Sequence, residues 1–380
     1  MNLNRWATPS KKRQHCGTQY RTLPQLLHID LILLACLIAL VVFGFFILYS
    51  ASNQQTNLVI QEILHIGMGF LLLFFLAQFP PHFYQRWAPL LFAVGVLLLA
   101  AVLVIGRIDK GAQRWINLGL FRFQPSELMK IIIPITLAWY FAHQSLPPKI
   151  KELSIAGLMV IIPAVLTLKE PDLGTALLLV MSGVCVLLLA GISGRWLFLA
   201  AIIVVIALPI SWHFLHGYQQ QRILTFLNPE RDPWGAGYHI IQSKIAIGSG
   251  GAFGKGWLKG TQSHLHFLPE HATDFIFAVV GEEFGLFGTL VLLFIYLLIT
   301  ARCFYIAFQS QTTFTRLLAG SLTLMFFLSF LINMGMVCGL LPVVGLPLPL
   351  ISYGGSSMLS TMASFGILMS IYSHRVLIDQ

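Results

Sequence analysis

Apolar runs of roughly 20 residues, the length that crosses a hydrocarbon core as an α-helix, recur from Leu31 to Ile371 with only short polar breaks. The first, Leu31 to Tyr49, contains no charged residue. Further runs cover residues 58–78, 88–106, 126–142, 154–168, 172–191, 196–216, 274–300, 316–341 and 350–373. Lipid offers backbone N–H and C=O groups no partner, so a spanning segment must satisfy them internally. The pattern therefore predicts an all-α integral membrane protein of about ten transmembrane helices, with a large extracytoplasmic loop, residues 217–273, between helices 7 and 8. A basic tail, residues 1–30, precedes the membrane domain of residues 31–373, and residues 374–380 follow it. Pro134 and Pro163 fall inside two of the shorter runs and predict kinks there.

Composition agrees: 57% of the 380 residues are hydrophobic and 10% charged, against roughly 25% charged in a soluble domain. So few charges cannot cover a globule of this size. Ser50 to Ser52 superficially offer a small-residue cleavage site, but the preceding apolar run is too long for a usual signal peptide and predicts a permanent helix. Cys16, Cys36, Cys185, Cys303 and Cys338 show neither metal-ligand nor disulfide spacing and read as small packing residues.

Charge adds orientation. The tail carries Arg5, Lys11, Lys12, Arg13 and Arg21, whereas Ser50 to Asn57 has no Lys or Arg; that contrast places the N-terminus in the cytoplasm. With an even number of spans, Arg375 and the C-terminus lie there too, and residues 107–125 and 217–273 lie outside. Both outer loops are basic against the usual bias, through Arg107, Lys110, Arg114 and Arg122 in the first and Arg222, Arg231, Lys244, Lys255 and Lys259 in the second. A long loop crosses regardless of charge, but a short one does not, so the first loop calls for an anionic partner at the outer surface.

Five segments on that side carry candidate chemistry. In GAQRWINLGLFRFQPSELMK, Pro125 suits a first helical position and Glu127 the positive end of the helix. Glu127 and Lys130, three apart, share a helical face and can pair; both an anchoring ion pair and a functional one fit, since ionisable groups within a membrane are costly. In LKEPDLGT, Lys169, Glu170 and Asp172 crowd a tight turn, where Asp172 fits either a helix-capping role or a substrate contact. GYHIIQSKIAIGSGGAFGKGW places Tyr238, Ile241 and Ile245 on one face, with His239, Gln242 and Lys244 off it, as for a helix along the membrane surface. Its glycines, Gly248, Gly250, Gly251, Gly254 and Gly256, suit either a flexible connection or a cradle for phosphate oxygens.

FLPEHATDFIFAVVGEEFG brings Asp274 to the start of an apolar run, with Glu282 and Glu283 farther along. Eight residues, or more than ~10 Å of helical rise, separate Asp274 from Glu282, so one substrate atom cannot meet both; Asp274 is better placed for surface chemistry, and the glutamates for packing. His264, His266 and His271 lie close in sequence, but no regular structure fixes them as ligands and no metal site is expected of them. Finally, LLPVVGLPLPLISYGGSS, Leu340 to Ser357, reads as a shaped, rigid connection able to line the same outer cavity.

In this order, GAQRW and FQPSE followed by Lys130, KEPDLGT, NPERDPWGAGYHIIQSKIAIGSGG, FLPEHATDFIFAVVGEEFG and LPVVGLPLPLISYGGSS resemble the shape, elongation, division and sporulation family of bacterial membrane proteins, over nearly the whole chain. KGWLKGTQ, residues 255–262, is similar to its elongation branch. The chain departs from the family in having Ala272 two residues before Asp274, where a histidine is common, with His271 one place earlier. The resemblance implies a peptidoglycan glycosyltransferase in the bacterial cytoplasmic (inner) membrane that polymerises lipid II, the undecaprenyl-diphosphate-linked disaccharide pentapeptide, for elongation and rod shape. It also implies a class B penicillin-binding protein as partner, alongside other membrane proteins of the elongation machinery, and no nucleic acid. By that resemblance Asp274 is the catalytic base; Arg114, Glu127, Lys130, Asp172, Lys244 and Lys255, read from the outer segments themselves, are the candidate substrate-binding residues. A divalent cation, Mg or Mn, could assist the diphosphate; no organic cofactor is expected. A flippase for the same lipid would need a hydrophilic path across the bilayer, whereas the ionisable residues of the spans gather toward one surface. A noncatalytic scaffold would make no single carboxylate matter.

Overall fold

The computed structural model describes residues 28–109, 112–117, 122–196, 236–264 and 270–375, with a few isolated positions between 198 and 228. The basic tail before His28 and the seventh apolar run, 196–216, lie outside the described residues or largely so, as do Lys110, Arg222, Arg231 and His266.

Nine helices match the remaining apolar runs: α1 (Leu31–Ala51), α2 (Thr56–Ala77), α3 (Pro81–Ile105), α4 (Pro125–Ala142), α5 (Ile150–Lys169), α6 (Leu173–Leu189), α9 (Ile276–Phe308), α10 (Thr313–Val337) and α11 (Gly355–Ser373). Six of them, α1, α2, α3, α5, α9 and α10, are long and apolar enough on their own to cross a membrane. Two shorter helices, α7 (Ala236–Gly250) and α8 (Thr261–His264), belong to the large loop. The molecule is a multi-pass membrane protein whose outward faces are rich in exposed leucine, isoleucine and phenylalanine, the distribution that lipid rather than water favours. One addition to the predicted all-α class lies between α3 and α4, where β1 (Arg107–Asp109), β2 (Ala112–Asn117) and β3 (Arg122–Phe123) pair antiparallel as a small three-stranded ribbon.

The core is made where α10 packs against α4, α6 and α9, where α4 packs against α6, and where α11 packs along α2. Tyr296, Phe326, Phe330 and Phe365 stack at its centre, with Tyr296 and Phe330 ring centroids 4.6 Å apart. α4 and α5 run continuously through Pro134 and Pro163.

The sharp departure from helical geometry falls elsewhere, at Gly285 inside α9, with φ 64° and ψ −158°. The groups it frees are taken up by the glycine-rich segment after α7. Lys255 and Gly256 donate their amides to the carbonyls of Glu282 and Glu283, each at 3.0 Å, and Leu286 and Phe287 donate to Gly251 and Ala252, each at 3.0 Å. A Cβ on Gly250, Gly254 or Gly285 would overlap the facing backbone. These glycines therefore serve close approach of one backbone to another, which is neither of the two readings they suited, a flexible connection or a phosphate cradle: the Lys255 and Gly256 amides are spent on α9. On α7, Gly237, Ile240, Ser243, Ala246 and Gly250 form the buried side against α9, while Tyr238, Ile241 and Ile245, the face expected along the membrane surface, stay partly or fully exposed.

Candidate active site

One end of the bundle gathers the starts of α4, α6 and α11, the end of α10, the turn before α9 and the segment from Leu341 to Gly354. Helix starts expose four unpaired N–H groups and a positive dipole end, and so favour carboxylates. Asp172 caps α6, accepting from the Thr175 amide at 3.1 Å and its hydroxyl at 2.9 Å. Its second oxygen also accepts from Gln124 at 3.1 Å and faces the Arg114 guanidinium at 3.7 Å. Arg114 reaches in from β2 and donates to the carbonyls of Glu170, at 3.2 Å, and Pro171. The capping role is thus occupied, and Arg114 is stapled to the same turn.

Glu170 is fully buried, and neither carboxyl oxygen has a hydrogen-bond partner among the described residues. Burial, then the nearby Asp172, push its carboxyl up to about 8 against the pull of Arg114, because a desolvated carboxylate with a like charge beside it is better held as the neutral acid.

Two residues into α4, Glu127 is buried and pairs with Lys130 at 2.7 Å, the spacing expected of one helical face. Ser360 of α11 donates to its other oxygen at 2.9 Å. The Lys130 side chain, 16% exposed, lines a cavity with Leu178, Phe326, Pro347, Ser357 and Ser360. An ammonium has three donors, so its bond to Glu127 leaves capacity toward that cavity.

Asp274 stands half-buried in the turn leading into α9. The proline-rich segment fixes that turn through its main chain: Tyr353 donates its amide to the Ala272 carbonyl at 2.9 Å, and Ser352 donates to the Thr273 carbonyl at 2.5 Å. Asn333, fully buried on α10, donates to the carbonyls of Asp274 at 2.8 Å and Leu346 at 2.6 Å. Two acceptors facing one nitrogen settle which way the amide points. Gly345, with φ 76°, adopts a conformation glycine favours, and a Cβ there would lie 3.4 Å from a carboxylate oxygen of Asp274. Tyr296 holds the segment from below, donating to the Pro349 carbonyl at 2.6 Å. Leu346 and Pro347, next to Gly345, line the Lys130 cavity. The sequence thus folds so that a carboxylate and an ammonium flank one segment of rigid chain.

The two lysines of the large loop are used differently. Lys255 pairs with Glu282 at 2.7 Å, which also accepts from the Thr261 and Gln262 amides at 2.8 and 3.0 Å. Lys244 is exposed and crosses Gly339 at the end of α10. Glu283, buried, accepts from Ser50 at 2.5 Å, in line with a packing role for both glutamates. Among the described residues no group of three or more His, Cys, Asp and Glu could hold a metal ion.

Sequence reasoning missed Gln124, Asn333, Ser352 and Ser360, and also the buried Glu62 of α2, which faces His65 at 3.3 Å. A polar side chain inside an apolar run was the signal for Asn333 and Glu62.

A bundle of membrane helices with a carboxylate and an ammonium at one polar end defines an integral membrane protein with a surface-level site. The chain belongs to the FtsW, RodA and SpoVE family, described as cell cycle proteins, whose family model matches residues 30–376. It is 50% identical over 354 residues to the peptidoglycan glycosyltransferase MrdB of Escherichia coli K12, covering 93% of this chain and 96% of that protein. It is 33% identical to the peptidoglycan glycosyltransferase RodA of Treponema pallidum, covering 91% and 98%. Among solved structures it is similar to a chain of a peptidoglycan synthase complex that coordinates polymerization and crosslinking, at TM-score 0.80 and 33% identity, covering 90% and 97%. It is also similar to the rod shape determining protein RodA of Thermus thermophilus, at TM-score 0.69 and 29% identity, covering 90% and 96%.

Proposed function

We propose that this chain is a peptidoglycan glycosyltransferase that polymerises lipid II at the outer face of the bacterial cytoplasmic membrane for elongation and rod shape. The observation that carries the reading is the turn of Asp274, whose main chain is held by Asn333, Ser352 and Tyr353 so that its carboxylate lies against Gly345 of the segment that walls the Lys130 cavity. Asp274 takes the proton from the acceptor sugar's 4-hydroxyl as that oxygen attacks the anomeric carbon of the donor. The O4–C1 bond forms, the bond from C1 to the diphosphate oxygen breaks, and the configuration at C1 inverts. The departing diphosphate carries the electron pair, and Lys130, whose side chain is largely buried, meets its charge as a fixed cation worth more than one in solution. Arg114 and Lys244 add positive potential at the same end, Glu127 and Asp172 hold Lys130 and Arg114 in place, and Lys255 neutralises Glu282. A divalent cation would arrive with the diphosphate, since the described carboxylates beside it are already engaged or buried.

The basic tail and the uncharged α1–α2 connection support cytoplasmic termini, with the Asp274 end outside. Cysteine probes decide this: labelling at Lys12 in intact cells, with none at Lys259, would reverse it. The E. coli and T. pallidum relatives and the synthase complex support a class B penicillin-binding protein as partner, with further elongation proteins around it. Reconstituting the purified chain, alone and with that partner, with labelled lipid II should yield glycan strands. No polymer under either condition, with lipid II moving between leaflets, would favour the flippase. The described ionisable groups argue against a path for one: they form two end clusters separated by the aromatic core around Tyr296 and Phe365.

A further inference from the structure

A second cavity, of about 270 Å³, lies on the other side of the Asp274 turn, between the α1–α2 connection and residues 270–273. We propose that it is the subsite for the sugar of the acceptor substrate. This rests on the glycosyltransferase reading and adds to it where the second saccharide sits. Ser52, Asn53, Gln55, Glu270, His271 and Thr273 line it. Hydroxyls, side-chain amides, one carboxylate and one imidazole match the hydroxyl and acetamido groups of an amino sugar, and among the described residues no Lys or Arg lines it to attract a diphosphate. Its volume falls just under the ~300–1,000 Å³ of small-molecule pockets, which suits one sugar unit rather than a whole lipid-linked precursor. The connection is shaped: Asn53 and Gln54 both take positive φ, 51° and 61°, a conformation that costs energy outside glycine.

Placement gives the assignment its direction. Thr273 lines this cavity, the next residue is Asp274, and the Asp274 carboxylate lies toward Gly345 and the Lys130 cavity beyond it. In an inverting displacement the nucleophile arrives opposite the leaving group. With the diphosphate on the Lys130 side of C1, the attacking 4-hydroxyl reaches C1 from the opposite side, beside the Asp274 carboxylate, and Thr273 leads from that carboxylate to this cavity. The lack of Lys and Arg between Ser50 and Asn57 acquires a second meaning: the wall facing an uncharged sugar needs no cations.

The test uses the full chain in lipid nanodiscs and a soluble β-1,4-linked N-acetylglucosamine–N-acetylmuramic acid disaccharide as probe. The parent and Asp274→Asn should bind it equally. Gln55→Trp, which fills the cavity from an exposed position, should raise Kd at least tenfold, while Thr56→Trp, outside the lining, should not. Gln55→Ala, which removes contacts without adding bulk, should raise KM for lipid II severalfold at unchanged kcat. A parent that polymerises lipid II yet binds no disaccharide, or Gln55 variants with the parent's Kd and KM, would overturn the subsite and leave the enzyme reading intact. A parent that makes no polymer would remove the enzyme reading by a separate measurement.

Discussion

The two polar ends of this bundle hold their charges in opposite ways. At one, Asp30 caps α1 and takes both a 2.7 Å and a 3.1 Å hydrogen bond from Arg302 of α9, while the guanidinium also stacks on Tyr305 and Tyr372, at 4.8 and 5.1 Å. Both carboxylate oxygens have partners, and the guanidinium lies against two aromatic rings. At the other end, Lys130 keeps donors toward a cavity, and among the described residues both Glu170 oxygens and the Asn333 carbonyl oxygen have no hydrogen-bond partner. A closed ion pair locks helices together. A cluster with binding capacity left over costs stability and is retained where a ligand completes it.

That contrast is broken most severely at Asp274. Base catalysis is typically worth 10² to 10⁴-fold, so Asp274→Asn should lose roughly that much polymerisation rate while melting at the parent temperature; turnover near the parent rate would reduce the aspartate to a turn residue. Lys130→Met combined with Glu127→Gln, which avoids stranding a buried charge, should cost about 10² to 10³ in kcat, the usual loss for one charge-stabilising donor. Reversing the pair, Glu127→Lys with Lys130→Glu, should recover folding but not rate, and full activity would leave the pair only its structural role. At the closed end the order inverts: Arg302→Ala strands a buried Asp30 and should cost about 3 kcal/mol of stability or more, with specific activity of the folded fraction unchanged.

Glu170 sharpens the comparison with the smallest effect. Its folded-state value of about 8 lies above the ordinary 4.5, so the folded chain holds a proton that the unfolded chain releases. That contribution to stability is complete below about pH 4.5 and is lost as pH rises toward and through 8. Glu170→Gln should flatten the dependence of Tm on pH across this window and raise Tm by a few degrees above pH 7; a parent-like slope would place the proton elsewhere.

The spans were legible because burial in lipid imposes long apolar runs, and nine of the expected ten have a helix at the expected place among the described residues. The Glu127–Lys130 pair and the Asp172 cap were legible for a similar reason, since helical spacing and a helix start determine both. The ties around Asp274 were not. Asn333 lies 59 residues from it and Tyr353 meets Ala272 through a backbone amide, and no local pattern encodes a contact between a side chain and a distant main chain. Glycine clusters were ambiguous in the same way: Gly250 and Gly254 are needed because α9 breaks at Gly285, a fact that neither segment reveals alone.

That break makes the large loop a splint. Four main-chain hydrogen bonds cross from residues 251–256 to both sides of the fracture at Gly285, and without them several backbone groups near the start of α9 would have no partner, at a cost of several kcal/mol each in lipid. Loop and helix are therefore one unit of inheritance. A chimera that exchanges residues 250–256 with a relative must exchange 281–288 with them, and a loop deleted for convenience in engineering would leave α9 with an unset fracture directly beneath Asp274.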